Sequence, residues 1–182
     1  MSCPSTSYHQ LPTPLGDACY LVNSEGQLVA FGWVEKHTRM KKLLHRVQEQ
    51  GGALKITTDK TSIAERLRRY FAGELTALKG IETATQGTAF QTSVWAALRA
   101  IPLGETRSYG QLAREIQNPA AVRAVGLANG ANPVSVVVPC HRVIGADGSL
   151  TGFGAGVERK RWLLEHEGVA LRAEQVELPG TA

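Results

Sequence analysis

Residues 108–130 read SYGQLAREIQNPAAVRAVGLANG, and this stretch carries the signals for two helices joined by a short turn. Ser108 and Gln111 form a capping-box pair, in which each side chain takes an orphan amide of the other at a helix start. Leu112, Ala113 and Ile116 then recur at helical spacing. Asn118-Pro119 is a second start signal, since Asn caps a helix and Pro is tolerated at its first position. The helix expected at 120–129 turns mostly small residues, Ala121, Ala124, Val125 and Ala128, toward a partner, so the two axes can cross closely, and Asn129-Gly130 supplies the expected stop. The pair resembles a helix-turn-helix, although an ordinary helical hairpin fits the same pattern.

The flanks extend this into a mainly α domain. Upstream, Thr88 and Gln91 make another capping box ahead of Phe90, Val94, Leu98 and Ile101, and Pro102 and Gly104 break that helix. Downstream, residues 135–138 are a short apolar run of strand type that ends at Pro139, and residues 157–166 form a last helix before Gly168. The Thr- and Gly-rich stretch 78–87 has no period and reads as a linker, which places a domain boundary near Gly87. On its N-terminal side, the strand-like runs 18–22 and 27–33 flank the turn Asn23-Ser24-Glu25-Gly26 as a hairpin. An amphipathic helix over 36–50, a third strand over 53–58, and a helix capped by Ser62 and Glu65 and stopped at Gly73 complete that part. The expected architecture is an α/β N-terminal domain over 1–86, a small antiparallel sheet with helices, followed by a mainly α, winged helix-turn-helix domain over 87–182.

Composition bounds the function classes. Of the 182 residues, 43% are hydrophobic and 20% charged, the balance of a chain that folds rather than of a disordered one. No apolar run approaches the roughly 20 residues of a membrane span, and the first ten residues lack the basic start and apolar stretch of a signal peptide, so a cytoplasmic, membrane-free protein is expected. Three cysteines are too few and odd in number for a disulfide framework, which agrees with a reducing compartment. Cys3 and Cys19, with His9 as a third donor, lack the tight spacing of zinc ligands, and no metal is expected. The net charge of +4 permits a nucleic-acid partner without establishing one. Its distribution says more: Arg99, Arg107, Arg114, Arg123 and Arg142 face only Glu105 and Glu115 in that span, with no lysine, and guanidinium is the better phosphate ligand.

The chemistry gathers where the strand-like run ends, at Cys140-His141-Arg142-Val143. A lone cysteine is most often a small core hydrophobe. Next to an imidazole and a guanidinium it becomes a candidate nucleophile, because a thiol reacts as thiolate and needs a base or a positive charge to form it. Side chains adjacent in sequence seldom face one another, so a water between Cys140 and His141 is the expected proton route. Glu167, at the end of the last helix, is the candidate third group that orients the base; a solvated helix-end glutamate is the plain alternative.

Pro139-Cys140-His141-Arg142-Val143 resembles the signature of the O6-alkylguanine-DNA alkyltransferases, also called methylated-DNA-protein-cysteine methyltransferases. The likeness runs from Phe90 to Gly168, through 101–105, Ser108-Tyr109-Gly110, 121–126, Asn132-Pro133 and 161–168, and is loose in the N-terminal part. It implies repair by direct reversal, with a single, irreversible transfer of an alkyl group from O6 of guanine to Cys140 after the base is flipped; whether O4-alkylthymine is also a substrate stays open. By the same resemblance His141 is the water-linked base, Glu167 its partner, Asn132 a support of the active-site turn, and Tyr109 a donor to the guanine ring N3. The helix at 120–129 is then a recognition helix in the minor groove with Arg123 as the finger that fills the vacated stack, and Gln91, Ser108, Tyr109, Asn118 and Arg142 join it at the DNA. Tyr109, Val143, Phe153 and Gly154 line the alkylguanine pocket, the Gly154 amide donating to O6, and Phe153 stands where some members carry tyrosine. No cofactor is implied, because the damaged base is itself the donor, and the partner is double-stranded DNA met by a monomer. Two other classes remain to be weighed. A non-catalytic module that recognises alkylated DNA would not need Cys140, and a Cys-His-Glu hydrolase would need an oxyanion hole and a base in direct contact with the thiol.

Overall fold

The computed structural model describes residues 6–33, 45, 55–56 and 62–171. These divide into two compact units: residues up to Gln86 together with Pro133–Val137 form the first, and Gly87–Asn132 with the residues from Val138 onward form the second. No helix among the described residues is long and apolar enough to cross a membrane.

In the first unit, β1 (Ser7–Thr13), β2 (Gly16–Val22), β3 (Leu28–Trp33) and β4 (Lys55–Ile56) make one sheet in the order β3-β2-β1-β4. The expected hairpin is β2–β3. Its turn is held by Asn23, whose Oδ1 accepts from the amides of Glu25 at 3.1 Å and Gln27 at 2.9 Å. β1 escapes the sequence reading because its alternation buries an imidazole where an apolar residue is expected: His9 and Leu11 point inward, and the His9 ring stacks on Tyr20 with centroids 4.9 Å apart. The first three strands are antiparallel, but β4 pairs with β1 in parallel, so the sheet is mixed at that edge. Cys3, the helix expected over 36–50 (His45 apart) and the rest of the 53–58 strand lie outside the described residues. α1 (Ser62–Phe71) buries Ile63, Ala64, Leu67, Tyr70 and Phe71 along one face.

In the second unit, both halves of the capping box predicted at Thr88 and Gln91 open α2 (Ala89–Ala100). The box at Ser108 and Gln111 likewise opens α3 (Tyr109–Glu115). β5 (Arg107–Ser108) and β6 (Val143–Ile144) pair in parallel, and α5 (Val157–His166) closes the described chain. The helix expected over 120–129 forms differently at both ends. Pro119–Ala121 is a 3-10 turn, the α-helix proper is α4 (Val122–Gly130), and the Asn118 side chain makes no capping bond. The reason lies one step earlier. α3 ends in a Schellman motif, with Gln117 N–H bonded to Arg114 O and Asn118 N–H to Ala113 O, both at 2.9 Å, and this fixes Asn118 at φ −135°, ψ 69°. Gly130 is not the left-handed stop either; it belongs to α4, and Ala131 leaves the helix with its amide still bonded to Leu127 O at 2.9 Å.

The strand expected at 135–138 is corrected more deeply. Phe31 and Val134 form an isolated bridge, with Phe31 N–H donating to Pro133 O and Ser135 N–H to Phe31 O. Val136 then turns to φ +72°, with Val137 N–H bonded to Ser135 O at 2.9 Å. That combination is a γ-turn of the rare, positive-φ kind, and a β-branched residue there is strained. A ladder cannot continue past such a turn.

Schellman ends make a paired test. At α5, Gly168 N–H bonds to Glu165 O and Val169 N–H to Leu164 O, both at 2.9 Å, with Gly168 at φ +82° and open space where a Cβ would go. Gly168→Ala is expected to cost about 1 kcal/mol from backbone strain alone. Gln117, at φ +57°, occupies the equivalent left-handed position of α3 without being glycine, so Gln117→Gly is expected to stabilise by a smaller amount. Urea midpoints of the two variants should move in opposite directions.

Candidate active site

The active-site turn is built from backbone bonds that no regular element supplies. Pro139, at φ −80° and ψ 63°, forms an inverse γ-turn closed by Cys140 N–H to Val138 O at 2.8 Å. Asn132 Nδ2 donates to the same Val138 oxygen at 2.8 Å, and Asn129 Nδ2 approaches Cys140 O at 3.4 Å. The chain then winds into a 3-10 turn over Cys140–Arg142, which carries three functional side chains in succession into the interior. Cys140 is 4% exposed and His141 fully buried.

Glu167 receives two of them. Its Oε1 lies 3.0 Å from His141 Nε2 and accepts from Arg142 Nη2 at 2.9 Å, while its Oε2 accepts from Arg142 Nε at 2.7 Å. The third direction of the guanidinium, Nη1, donates to Ile101 O at 2.6 Å, just past the end of α2. Burial alone would raise the Glu167 pKa, but His141 and Arg142 more than offset it and hold the carboxyl well below the usual range. His141 goes the other way: burial depresses its pKa, Arg142 and Lys160 add to this, and Glu167 restores only part of it. The imidazole is therefore neutral near pH 7. With the carboxylate accepting at Nε2, the proton sits on Nε2 and the lone pair on Nδ1, which is buried and makes no hydrogen bond in the structure. The imidazole lone pair and the thiol thus share one buried turn, with no direct bond from Nδ1 to Cys140.

Lys160 is a member of the site that the sequence reading missed. It is fully buried, and its Nζ donates to Val143 O at 2.5 Å and Thr151 O at 2.7 Å. Burial pulls its pKa down to about 8, and the negative charge of Cys140 opposes the fall. The signal was present in its spacing, since position 160 shares a helix face with Leu163, Leu164 and Glu167. Tyr109 reaches from the start of α3 to Thr151 O at 3.5 Å, and a side chain on Gly152 or Gly126 would lie against its hydroxyl or ring. Its pKa is raised, first by burial and further by the charge of Cys140. Phe153 meets the His141 ring edge-on at 6.5 Å, Val143 is buried beside the turn, and Gly154 is exposed in the loop that follows.

Cys140, His141, Glu167, Asn132, Tyr109, Val143 and Phe153 are thus assembled around one turn. The residues expected at DNA are spread over a surface instead. Arg123 and Asn118 are exposed, whereas the side chains of Gln91 and Ser108 are engaged in their capping boxes, Gln91 Oε1 accepting from the Thr88 amide and Ser108 Oγ from the Gln111 amide, and Ser108 with Gln111 and Arg114 lines an open cavity of about 500 Å³. Arg142 needs correction: its guanidinium is committed to Glu167 and Ile101 and is turned away from any exposed phosphate contact. Arg107 is also taken up, between Glu105 and Glu115. Cys19, the other cysteine described, is buried, and burial pushes its thiol up to about 11, which disfavours the thiolate at neutral pH.

Comparisons with known proteins converge on one family. Residues 89–169 match the family profile described as 6-O-methylguanine DNA methyltransferase, DNA binding domain. A methylated-DNA-protein-cysteine methyltransferase of Salmonella typhimurium is 48% identical over 89% of this chain and 95% of its own length. One of Mycobacterium tuberculosis is 60% identical over 57% of this chain and 62% of its own length. Among solved structures, the Mycobacterium tuberculosis OGT in complex with DNA superposes with a TM-score of 0.76 at 42% identity, over 88% of this chain and 92% of that one. The O6-methylguanine-DNA methyltransferase of Pyrococcus kodakaraensis gives 0.66 at 26% identity, over 90% and 99%.

The buried ion pair sets a measurable pH dependence. Glu167→Gln leaves Arg142 without its counter-charge in the interior and is expected to cost about 3 kcal/mol or more. The folded-state pKa of Glu167 is depressed, so its contribution is complete above the ordinary glutamate value of about 4.3 and is lost as pH falls from there. The gap in urea midpoint between wild type and Glu167→Gln should therefore be widest near pH 7 and narrow toward pH 3; a gap independent of pH would contradict the pairing.

Proposed function

The chain belongs to the methylated-DNA-protein-cysteine methyltransferase family, and from that premise we propose that Cys140 is the residue that takes the alkyl group. The protein is a methylated-DNA-protein-cysteine S-methyltransferase that repairs DNA by direct reversal. The observation that supports the residue assignment is the buried His141–Glu167 pair on the same turn as Cys140, with the free imidazole lone pair on the side away from the carboxylate.

In the proposed sequence the thiol proton passes from Sγ through a water to His141 Nδ1, and Glu167 stabilises the imidazolium at Nε2. The thiolate attacks the alkyl carbon in line with its bond to O6. The S–C bond forms as the C–O6 bond breaks, the electron pair passes to the guanine, and a proton taken up by the base restores ordinary guanine. Tyr109, donating toward the ring N3, and the Gly154 amide, donating toward O6, keep full negative charge from developing on the leaving base. Asn132 holds the Val138 carbonyl and with it the bend that presents Cys140. The product is a thioether, and no nucleophile stands behind the transferred carbon to expel it, so each molecule acts once.

A thiol only 4% exposed cannot reach a base stacked in a duplex, so the guanine has to be extruded. We assign the DNA-facing role to α4, whose exposed side carries Arg123, with Asn118 and Arg114 near its approach. The reading brings with it a monomer working in the cytoplasm on double-stranded DNA, where a reducing environment keeps Cys140 as a thiol. A module that only recognised alkylated DNA would have no use for a buried base beside a cysteine.

Two measurements test this. Titrating excess labelled O6-methylguanine duplex against a known amount of protein should plateau at one alkyl group per chain, found by peptide mass on Cys140. Cys140→Ala should abolish the transfer and retain binding to the alkylated duplex; label on any other residue, or continued turnover, would overturn the assignment. Arg123→Ala should slow duplex repair at least about tenfold more than reaction with free O6-benzylguanine, which needs no extrusion, the scale of a lost charged contact at a nucleic-acid interface. Equal losses on the two substrates would move Arg123 from the DNA to the fold.

A further inference from the structure

Among the described residues, the two exposed large hydrophobic side chains are Val122, at 41%, and Leu127, at 72%, and both lie on α4. The helix buries Val125, Ala128 and Asn129, and the residues left outside are Val122, Arg123, Ala124, Leu127 and Gly130. Leu127 stands one turn after Arg123 on the exposed side, between Ala124 and Gly130, so it projects as a branched knob flanked by small residues, with the less exposed Val122 at the first position of the helix. No acidic residue occurs in α4. A cation and an apolar knob on one low, acid-free helix face fit a nucleic-acid groove, in which phosphates attract the first and sugar walls and base edges accept the second.

We infer that Leu127 is a minor-groove wedge that makes repair by this protein depend on the base pairs beside the lesion, slowing it wherever a guanine 2-amino group lies beneath the side chain. The inference rests on the reading that α4 faces DNA. In the minor groove an A·T pair presents only acceptors, whereas a G·C pair adds the protruding amino donor. Leucine offers no acceptor. Pressed over an amino group, it strips that donor of water and leaves it unpaired, a penalty absent over A·T. A side chain as small as alanine at position 127 would leave room for water over the same donor.

The experiment varies the amino group one pair at a time. Duplexes carrying O6-methylguanine are made with a single neighbouring pair, at each of the three positions on either side, set to A·T, inosine·C, G·C or 2,6-diaminopurine·T, and single-turnover transfer is followed with the full chain. For wild type, at the pair under Leu127, G·C and diaminopurine·T should react at least about fivefold more slowly than A·T and inosine·C, the factor expected for one unpaired donor. In Leu127→Ala the four rates should fall within about twofold of one another, and in Leu127→Asn, whose carbonyl accepts from the amino group, the order should reverse. Because the amino group also adds a base-pairing hydrogen bond, an amino dependence that persists unchanged in Leu127→Ala reports duplex stability and overturns the inference, as does a wild type that treats all four alike. Arg123→Ala separates the two layers. If it slows duplex repair selectively while wild type ignores the amino group, only the role of Leu127 fails; if Arg123→Ala has no selective effect on duplexes, the placement of α4 fails with it.

Discussion

One buried carboxylate organises the reactive half of this molecule. Glu167 meets the imidazole of His141 and the guanidinium of Arg142 in a buried site, where an unpaired charge of either sign is prohibitively costly. Its own position is fixed because it is the cap residue of the Schellman end of α5. Through Arg142 it is also tied to the Ile101 carbonyl, past the end of α2. The end of α2, the 3-10 turn at Cys140 and the end of α5 therefore meet in one anion, and a change in any of them is felt by His141.

The same arrangement sets the tautomer of His141. A carboxylate on Nε2 forces the lone pair of a neutral imidazole onto Nδ1. Around the thiol stand two buried cations, Arg142 and Lys160, against the single anion Glu167. That excess of positive charge would favour a thiolate at Cys140, as the proposed transfer requires. Lys160 contributes in a second way, since its ammonium holds the carbonyls of Val143 and Thr151, on the two strands of chain that border Tyr109 and Phe153.

Strain is concentrated where the chemistry is. Val136 occupies a left-handed γ-turn that glycine would adopt more easily, and Pro139 forms a second tight turn before Cys140. Their combined effect is to end backbone pairing abruptly, so that consecutive residues Cys140, His141 and Arg142 enter the interior on a 3-10 winding in which each side chain takes a different heading. An extended strand would have sent alternate residues to opposite faces and separated thiol from base.

Much of this was legible in the sequence, and for a common reason. Capping boxes at Thr88 and Ser108, the β2–β3 hairpin around Asn23 and the Gly168 stop are contacts between residues a few positions apart, and the chain specifies them wherever they occur. Cys140 beside His141, with Glu167 as third member, could be nominated from residue type alone. The errors fall where distant groups compete for the same atoms. Arg142 reads as a phosphate ligand until Glu167 and Ile101 claim its guanidinium. Residues 135–138 read as a strand until Phe31 and Asn132 take the backbone groups on either side of Val136, and Lys160, which the sequence reading passed over, meets its two carbonyls only in the fold. The sequence by itself determined which residues were able to react and where the helices began; only the tertiary structure decided which charges faced one another, because a charge finds its partner when water is removed from around it, and that happens only in the folded interior.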